Sequence, residues 1–160
     1  MPPNFSLHFV GVPHEKPGVP PIKFRMELRD ARQEVKAAYT VPLPYVRGAE
    51  IRFRNQSKLW SYLEAFPPGN NFGNELLSRF VRVMERLSFD TGKRVIHLGK
   101  VPSARLMRKF EKFGYAERSD LKTEGYAVLE SNFVPKGQEL AADERAVLER
   151  LLKHIHGLQK

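Results

Sequence analysis

LWSYLEAFPPGNNFGNELLSRF, residues 59–80, is the stretch from which the order of the elements can be worked out. Residues 59–66 form a β-prone run, and the prolines, glycines and asparagines of 67–73 predict a tight turn after it. Apolar residues then recur at helical spacing, at Leu76, Leu77, Phe80, Val81, Val83, Met84 and Leu87. We therefore predict a strand, a turn and a helix, although the apolar residues of 59–66 also fit a single helical turn.

Helix and strand continue to alternate as far as residue 134. The sequence RVIHL, residues 94–98, predicts a strand. A second helix is predicted at 102–114, where Gly114 is a suitable stop. The last predicted strand of this segment covers residues 125–133.

The first half of the chain is predicted to be an antiparallel meander. Apolar and polar residues alternate at 4–12, 22–28, 35–43 and 50–54, which predicts four strands. Residues 30–34 predict a hairpin turn, and four prolines make 13–21 a loop. A meander followed by a helix–strand–helix–strand segment is typical of an α+β domain.

One more helix is predicted after residue 137. Its apolar stripe consists of Leu140, Val147, Leu148, Leu151, Leu152, Ile155 and Leu158. We predict that residues 1–135 form a single domain and that residues 136–160 form a helix, which either packs on the domain or joins two copies. The protein is therefore expected to be a monomer or a homodimer through this helix.

Three short phrases stand at fixed places in this order of elements: FPP at 66–68, NFGNELL at 71–77 and FEKFGY at 110–115. Together with the order itself, they resemble the GNAT superfamily of N-acetyltransferases, and the resemblance covers about half of the chain. It implies a GNAT-like mixed sheet and the transfer of an acetyl or other acyl group from coenzyme A to a primary amine. That family usually carries two helices where this chain has residues 13–21.

The resemblance implies that acetyl-CoA or another acyl-CoA binds at the turn before the first long helix. Amide groups at a helix start attract anions, and glycine lets phosphate approach the backbone. The pyrophosphate would lie on the backbone of residues 69–76. The cofactor-binding residues implied are Phe66, Gly69, Asn71, Phe72, Gly73, Asn74, Ser103 and Phe110. The alternative is an ordinary strand-to-helix turn with an asparagine cap.

Three residues are the leading candidates for proton transfer. Glu64 lies where the family often places a general base for the attacking amine, although a solvated strand residue is the alternative. His97 is a second candidate base, but a histidine among apolar neighbours is more often a core residue. Phe110 stands where the family has a tyrosine acid and cannot protonate a thiolate. Tyr115 is therefore the candidate acid, with Tyr62 as the other option.

The chain is basic, with a formal net charge of +9. Basic residues fall in rows on the two predicted helices, at Arg79, Arg82 and Arg86 on the first and at Arg105, Arg108, Lys109 and Lys112 on the second. Such rows could hold nucleic acid or the phosphates of coenzyme A, although a solvated helix face is the common explanation. Two other hypotheses stay open: a GNAT-like scaffold without catalysis that binds nucleic acid or a protein, and an unrelated α+β nucleic-acid-binding protein.

Composition excludes several kinds of site. The chain has no cysteine, so it has no disulfide, no thiolate zinc site and no cysteine nucleophile. His154 and His156 would face apart on a helix, and we predict no metal. No apolar run approaches the roughly 20 residues of a membrane-spanning helix. The first residues lack the features of a signal peptide, and we expect a cytoplasmic protein without membrane association.

Overall fold

A computed structural model describes residues 5–11, 16–18, 23–58, 72–100, 108, 110–117, 127–131 and 139–158. In chain order, its elements are β1 (Ser6–Gly11), β2 (Lys23–Arg29), β3 (Val35–Pro42), β4 (Tyr45–Arg47), β5 (Glu50–Lys58), α1 (Phe72–Thr91), β6 (Arg94–Lys100), β7 (Tyr115–Glu117), β8 (Ala127–Ser131) and α2 (Ala142–Leu158). Residues 108 and 110–112 are also helical and fall within the second predicted helix. The predicted α+β fold is confirmed.

The first sheet is the antiparallel meander β1-β2-β3. Met26 and Leu28 of β2 are fully buried, as their alternation with polar residues predicts. On the other face, Glu27 lies between two arginines, 3.2 Å from Nε of Arg25 and 2.6 Å from Nη2 of Arg29. This carboxylate is buried as well, so the polar face of β2 is less solvated than its sequence indicates.

The predicted hairpin turn between β2 and β3 is confirmed, and Asp30 holds it. Oδ1 of Asp30 accepts hydrogen bonds from the amides of Arg32 at 2.9 Å and Glu34 at 3.0 Å. The bond from the Glu34 amide is the main cause that lowers the pKa of Asp30. Gln33 takes a left-handed conformation with φ of 65°, which the turn requires although the residue is not glycine.

The second sheet has the strand order β4-β5-β6-β8-β7. Strands β5 and β6 are parallel, and the other neighbours are antiparallel. Strands β4 and β7 were not predicted, because three residues are too few for a period of two to be recognised. The predicted strand at 59–66 lies outside the described residues, and β5 itself continues to Lys58.

The long helix α1 connects the two parallel strands and forms the centre of the core. Its buried apolar residues are the seven from which it was predicted: Leu76, Leu77, Phe80, Val81, Val83, Met84 and Leu87. The helix ends at Gly92, whose φ is 68° and whose amide donates to the carbonyl of Ser88 at 2.9 Å. In the described part of the chain, no helix is both long and apolar enough to cross a membrane.

The C-terminal helix α2 lies along the outer edge of β1. Oδ2 of Asp143 accepts the amide of Leu7 at 2.7 Å, and Nη1 of Arg150 donates to the carbonyl of Phe9 at 2.6 Å. An edge strand has backbone groups without a neighbouring strand, and here two of them bond to side chains of the helix. The predicted apolar stripe is used inside the chain, because its residues Leu140, Val147, Leu148, Leu151 and Ile155 are buried in the same core cluster.

Candidate functional site

The parallel pair β5 and β6 becomes irregular towards its carboxyl ends. The register is regular from Glu50 opposite Arg94 to Arg54 opposite Leu98, and pairing returns only at Lys58 opposite Lys100. Between these last two pairs, β5 advances four residues and β6 advances two. The extra residues make a bulge in β5. Ligands of open sheets with parallel strands bind beyond the carboxyl ends of the strands, so the bulge marks a candidate site.

Helix α1 begins near the same end of the sheet, because it follows β5 and leads back to β6. Its first turn contains Phe72, Gly73 and Asn74, three of the predicted cofactor-binding residues. The ring of Phe72 packs edge-on against Phe5, with 5.2 Å between the ring centroids. The side chain of Phe72 therefore anchors the helix to the N-terminal strand, and the backbone of this turn is what can face an anion.

The structure brings His97 and Tyr115, two of the three predicted catalytic residues, into contact. Nε2 of His97 lies 3.2 Å from the hydroxyl of Tyr115. The imidazole stacks on Phe53 at 5.3 Å and meets Phe80 at 5.4 Å, measured between ring centroids. His97 is only 1% exposed, so the pair lies inside an aromatic core.

Burial keeps both groups of this pair neutral. It lowers the pKa of His97 from 6.5 to about 3. Burial also raises the pKa of Tyr115 far above its usual value, with smaller contributions from the charges of Glu85 and Tyr39. A neutral imidazole and a neutral phenol form one hydrogen bond, which satisfies two buried polar side chains. The surroundings of His97 thus fit the role of a core histidine, which is the alternative to its role as a base.

Phe110, which stands where the resemblance would place a tyrosine acid, is fully buried. Its ring meets the ring of Tyr115 edge-on, with 5.6 Å between the centroids. The chain turns back at Gly114, which has a φ of 95°, and this turn brings residue 115 beside residue 110. The hydroxyl of Tyr115, whose ring packs on Phe110, bonds to His97.

The basic row of α1 has carboxylate partners within the chain. Arg79 bonds to Glu75 at 3.1 Å and to Asp143 at 3.3 Å. Arg82 lies 3.6 Å from Glu144 and is 45% exposed on its side chain. Arg86, the third member of the row, bonds to Asp90. On the second predicted helix, Arg108 and Lys112 are exposed. Anion contact by these residues stays a prediction.

Seven predicted site residues lie outside the described residues: Glu64, Phe66, Gly69, Asn71, Ser103, Arg105 and Lys109. Their roles stay predictions. Within the described ranges, no group of three or more histidine, aspartate or glutamate side chains could hold a metal ion.

Sequence reasoning did not find the aromatic residues that surround His97. Phe53 was part of a predicted strand and Phe80 of a predicted helix, but nothing in either pattern joined them to residue 97. Their contact depends on the register that places Phe53 opposite His97 in the parallel pair. A parallel register is set across a long connection, so a single sequence gives no local signal for it.

Comparison with known proteins gives only distant likenesses. No protein-family model and no curated protein matches the sequence. Among solved structures, the chain is similar to a Klebsiella pneumoniae subsp. pneumoniae protein assigned as an acyl-CoA N-acyltransferase, at 12% identity over 74% of this chain and 79% of that one, with a TM-score of 0.45.

Two other solved structures are also acetyltransferases. One is a chimera of the spermidine N-acetyltransferase of Vibrio cholerae, at 11% identity over 82% of this chain and 69% of that one, with a TM-score of 0.45. The other is nourseothricin acetyltransferase, at 10% identity over 80% of this chain and 82% of that one, with a TM-score of 0.39. A likeness this distant says nothing about the activity or the substrate of this chain.

Proposed function

We propose that this protein is an acyltransferase that moves an acyl group from coenzyme A to a primary amine. The observation that carries the proposal is the β5–α1–β6 unit, in which the parallel strands lose regular pairing after Arg54 and Leu98. A bound acyl chain would lie at this interruption of the pairing. The start of α1 adds amide groups for the pyrophosphate. Of the phrases that resemble the GNAT superfamily, NFGNELL includes the first residues of this helix.

The chemistry needs a base for the amine and a donor for the departing thiolate. We assign the base to Glu64, which follows β5 in sequence by six residues. Phe110 cannot act as the donor. Tyr115 lies against Phe110, and its hydroxyl is the candidate in this part of the chain. His97 then acts on Tyr115 by accepting or donating the hydrogen bond between them rather than by meeting the amine itself.

The net charge of +9 favours an amine acceptor that stands near negative charge, such as an amine on a nucleic acid, an aminoacyl group or a protein lysine. The acceptor would reach the bulge from the side opposite coenzyme A. Because the ion pairs of Arg79, Arg82 and Arg86 occupy the row on α1, binding of nucleic acid as the main function has less support from this helix.

Thermal unfolding with and without acetyl-CoA tests the proposal. A ligand that binds only the folded state raises the free energy of unfolding by about 2.7 kcal/mol at a hundredfold excess over Kd. We expect a clear rise of the unfolding temperature with acetyl-CoA and no rise with adenosine at the same concentration. The proposal fails if no concentration of acetyl-CoA changes the unfolding temperature.

The variant Glu64→Gln separates an enzyme from a scaffold that only binds. Loss of a general base lowers kcat by about 10²–10⁴-fold, while the Kd for acetyl-CoA should not change. Glu149→Gln, an exposed residue of α2, is the matched control and should keep both values. Acetyl-CoA binding without turnover on any amine would favour the scaffold.

A further inference from the structure

His97 lies at the last regular part of the parallel pair. It stands opposite Phe53, and the next pair, Arg54 opposite Leu98, is the last before the bulge. The ring of His97 is stacked on the ring of Phe53, with an angle of 26° between their planes. The two strands are thus joined by stacked side chains one residue before their pairing is interrupted.

Tyr115 reaches the same point from the far edge of the sheet. It belongs to β7, which is separated from β6 by β8 in the strand order. The contact between its hydroxyl and Nε2 of His97 therefore spans one whole strand. Two side chains that meet across a strand lie on one face of the sheet, which is the face that Phe80 of α1 covers.

We propose that His97 and Tyr115 are positioning residues that hold β6 against β5 next to the bulge and so set the geometry of the two strands where acyl-CoA is proposed to bind. This inference rests on the proposed function. The Tyr115 hydroxyl fixes the rotation of the imidazole, the imidazole stacks on Phe53, and Phe53 fixes β5. His97 and Phe53 act here only through the strands, and Tyr115 acts through His97, apart from the proton donation proposed for its hydroxyl above.

The arrangement is sensitive to the loss of either partner of the hydrogen bond, because both partners are buried. If one partner of a buried hydrogen bond is removed, the other keeps its desolvation penalty. In Tyr115→Phe, Nε2 of His97 would lose its partner in an apolar core. Its free energy would then be lower if the imidazole turned away from Phe53 or if water entered beside it. Either change alters the contact between β5 and β6.

The test compares acetyl-CoA binding by wild type, Tyr115→Phe and two controls, well below their unfolding temperatures. Tyr39→Phe removes a phenol hydroxyl from the same core, next to Phe80 but on the first sheet. Val147→Ala removes buried atoms from α2, an element outside the second sheet, and lowers stability. We expect Tyr115→Phe to raise the Kd for acetyl-CoA about fivefold to tenfold, as loss of one buried hydrogen bond suggests, and both controls to stay near wild type.

His97→Gln adds a rescue test, because its amide can still meet the Tyr115 hydroxyl although it cannot stack as an imidazole does. An intermediate Kd between wild type and Tyr115→Phe supports the proposal. If Tyr115→Phe binds acetyl-CoA as wild type does while losing stability, the inference alone is overturned. If wild type itself does not bind acetyl-CoA, the proposed function fails and the inference fails with it.

Discussion

Two polar arrangements of opposite kinds lie in the two sheets of this protein. At the first sheet, charged side chains do this: the partly exposed Asp143 and the exposed Arg150 bond to the backbone of the edge strand β1, and the buried carboxylate of Glu27 lies between two arginines. At the second sheet, a neutral histidine and a neutral tyrosine bond to each other inside the core. The first arrangement depends on charges, and the second depends on their absence.

This difference predicts how each sheet responds to the removal of a charge and to a change in protonation. Charge pairs near the surface are screened by salt and individually weak, so the first sheet should tolerate the loss of one of them. A neutral pair in an apolar core has no water to replace a missing partner, so the second sheet should respond strongly to a change in protonation.

Phe80 is the residue whose loss should have the largest effect. Its ring meets Tyr39 of the first sheet and His97 of the second, and it is fully buried. We expect Phe80→Ala to lower the free energy of unfolding by about 3–5 kcal/mol, because it leaves a cavity between the sheets. Phe89→Ala on the same helix is the matched control, since Phe89 is 49% exposed. Denaturant unfolding measures both, and equal losses would contradict the central place given to Phe80.

Acid should destabilise the second sheet through His97. Its pKa is about 3 in the folded protein and 6.5 ordinarily, so the unfolded state binds the proton first as the pH falls. Stability from this group is complete above pH 6.5 and declines below it, by about 1.5–2 kcal/mol between pH 6.5 and pH 5. Unfolding at a series of pH values measures this slope.

The matched variants for the acid prediction are His97→Phe and His156→Phe. The first removes the buried imidazole and should flatten the pH slope in this range. The second changes an exposed residue of α2 and should leave the slope as it is in wild type. A slope that survives in His97→Phe would show that another group causes the acid sensitivity.

Asp143→Ala should have a moderate effect on the first sheet. The carboxylate accepts the Leu7 amide at 2.7 Å, pairs with Arg79 at 3.3 Å and accepts the Glu144 amide at 2.9 Å. We expect a loss of about 1–2 kcal/mol, because bonds to a charged acceptor are lost from a partly exposed site. The control Asp90→Ala removes only the pair with Arg86 within α1, which should be worth less than about 0.5 kcal/mol. Thermal unfolding of both variants at low and high salt measures the two losses of stability.

Arg150→Lys should have the smallest effect. The guanidinium lies 4.8 Å from the ring centroid of Phe24 and 5.4 Å from that of Phe9, and those two rings stack on each other. Lysine keeps the charge but loses the planar group, so we expect a loss of about 0.5–1 kcal/mol. Arg145→Lys, at an exposed position of the same helix, should be neutral. A neutral Arg150→Lys would show that charge alone is sufficient at this edge.

Much of the fold could be predicted because its signals are local. The alternation through Met26 and Leu28 and the apolar spacing through Leu76 and Phe80 each repeat within a few residues, and both elements formed where predicted. The short strand β7 carries no such repeat. It forms because it pairs with β8, which lies ten residues further along the chain.

The candidate site was harder to predict, since its contacts join distant parts of the chain. The sequence indicates Tyr115 and His97 separately. Their hydrogen bond depends on the strand order β6-β8-β7, which no local pattern contains. The bulge in β5 is of the same kind, because it is defined only against the register of β6. The sequence therefore indicates these candidates one by one, but it does not indicate that they contact each other.

The helix that covers the edge of β1 also has a consequence for synthesis on the ribosome. Asp143 and Leu7, which meet in the finished protein, are 136 positions apart in sequence. At about 5–20 residues per second, the nascent chain would carry β1 for roughly 7 to 27 seconds before its partner is made. During that interval the outer edge of the meander is open to pairing with another strand, so the early chain is the form in which association with chaperones or with other nascent chains would matter most.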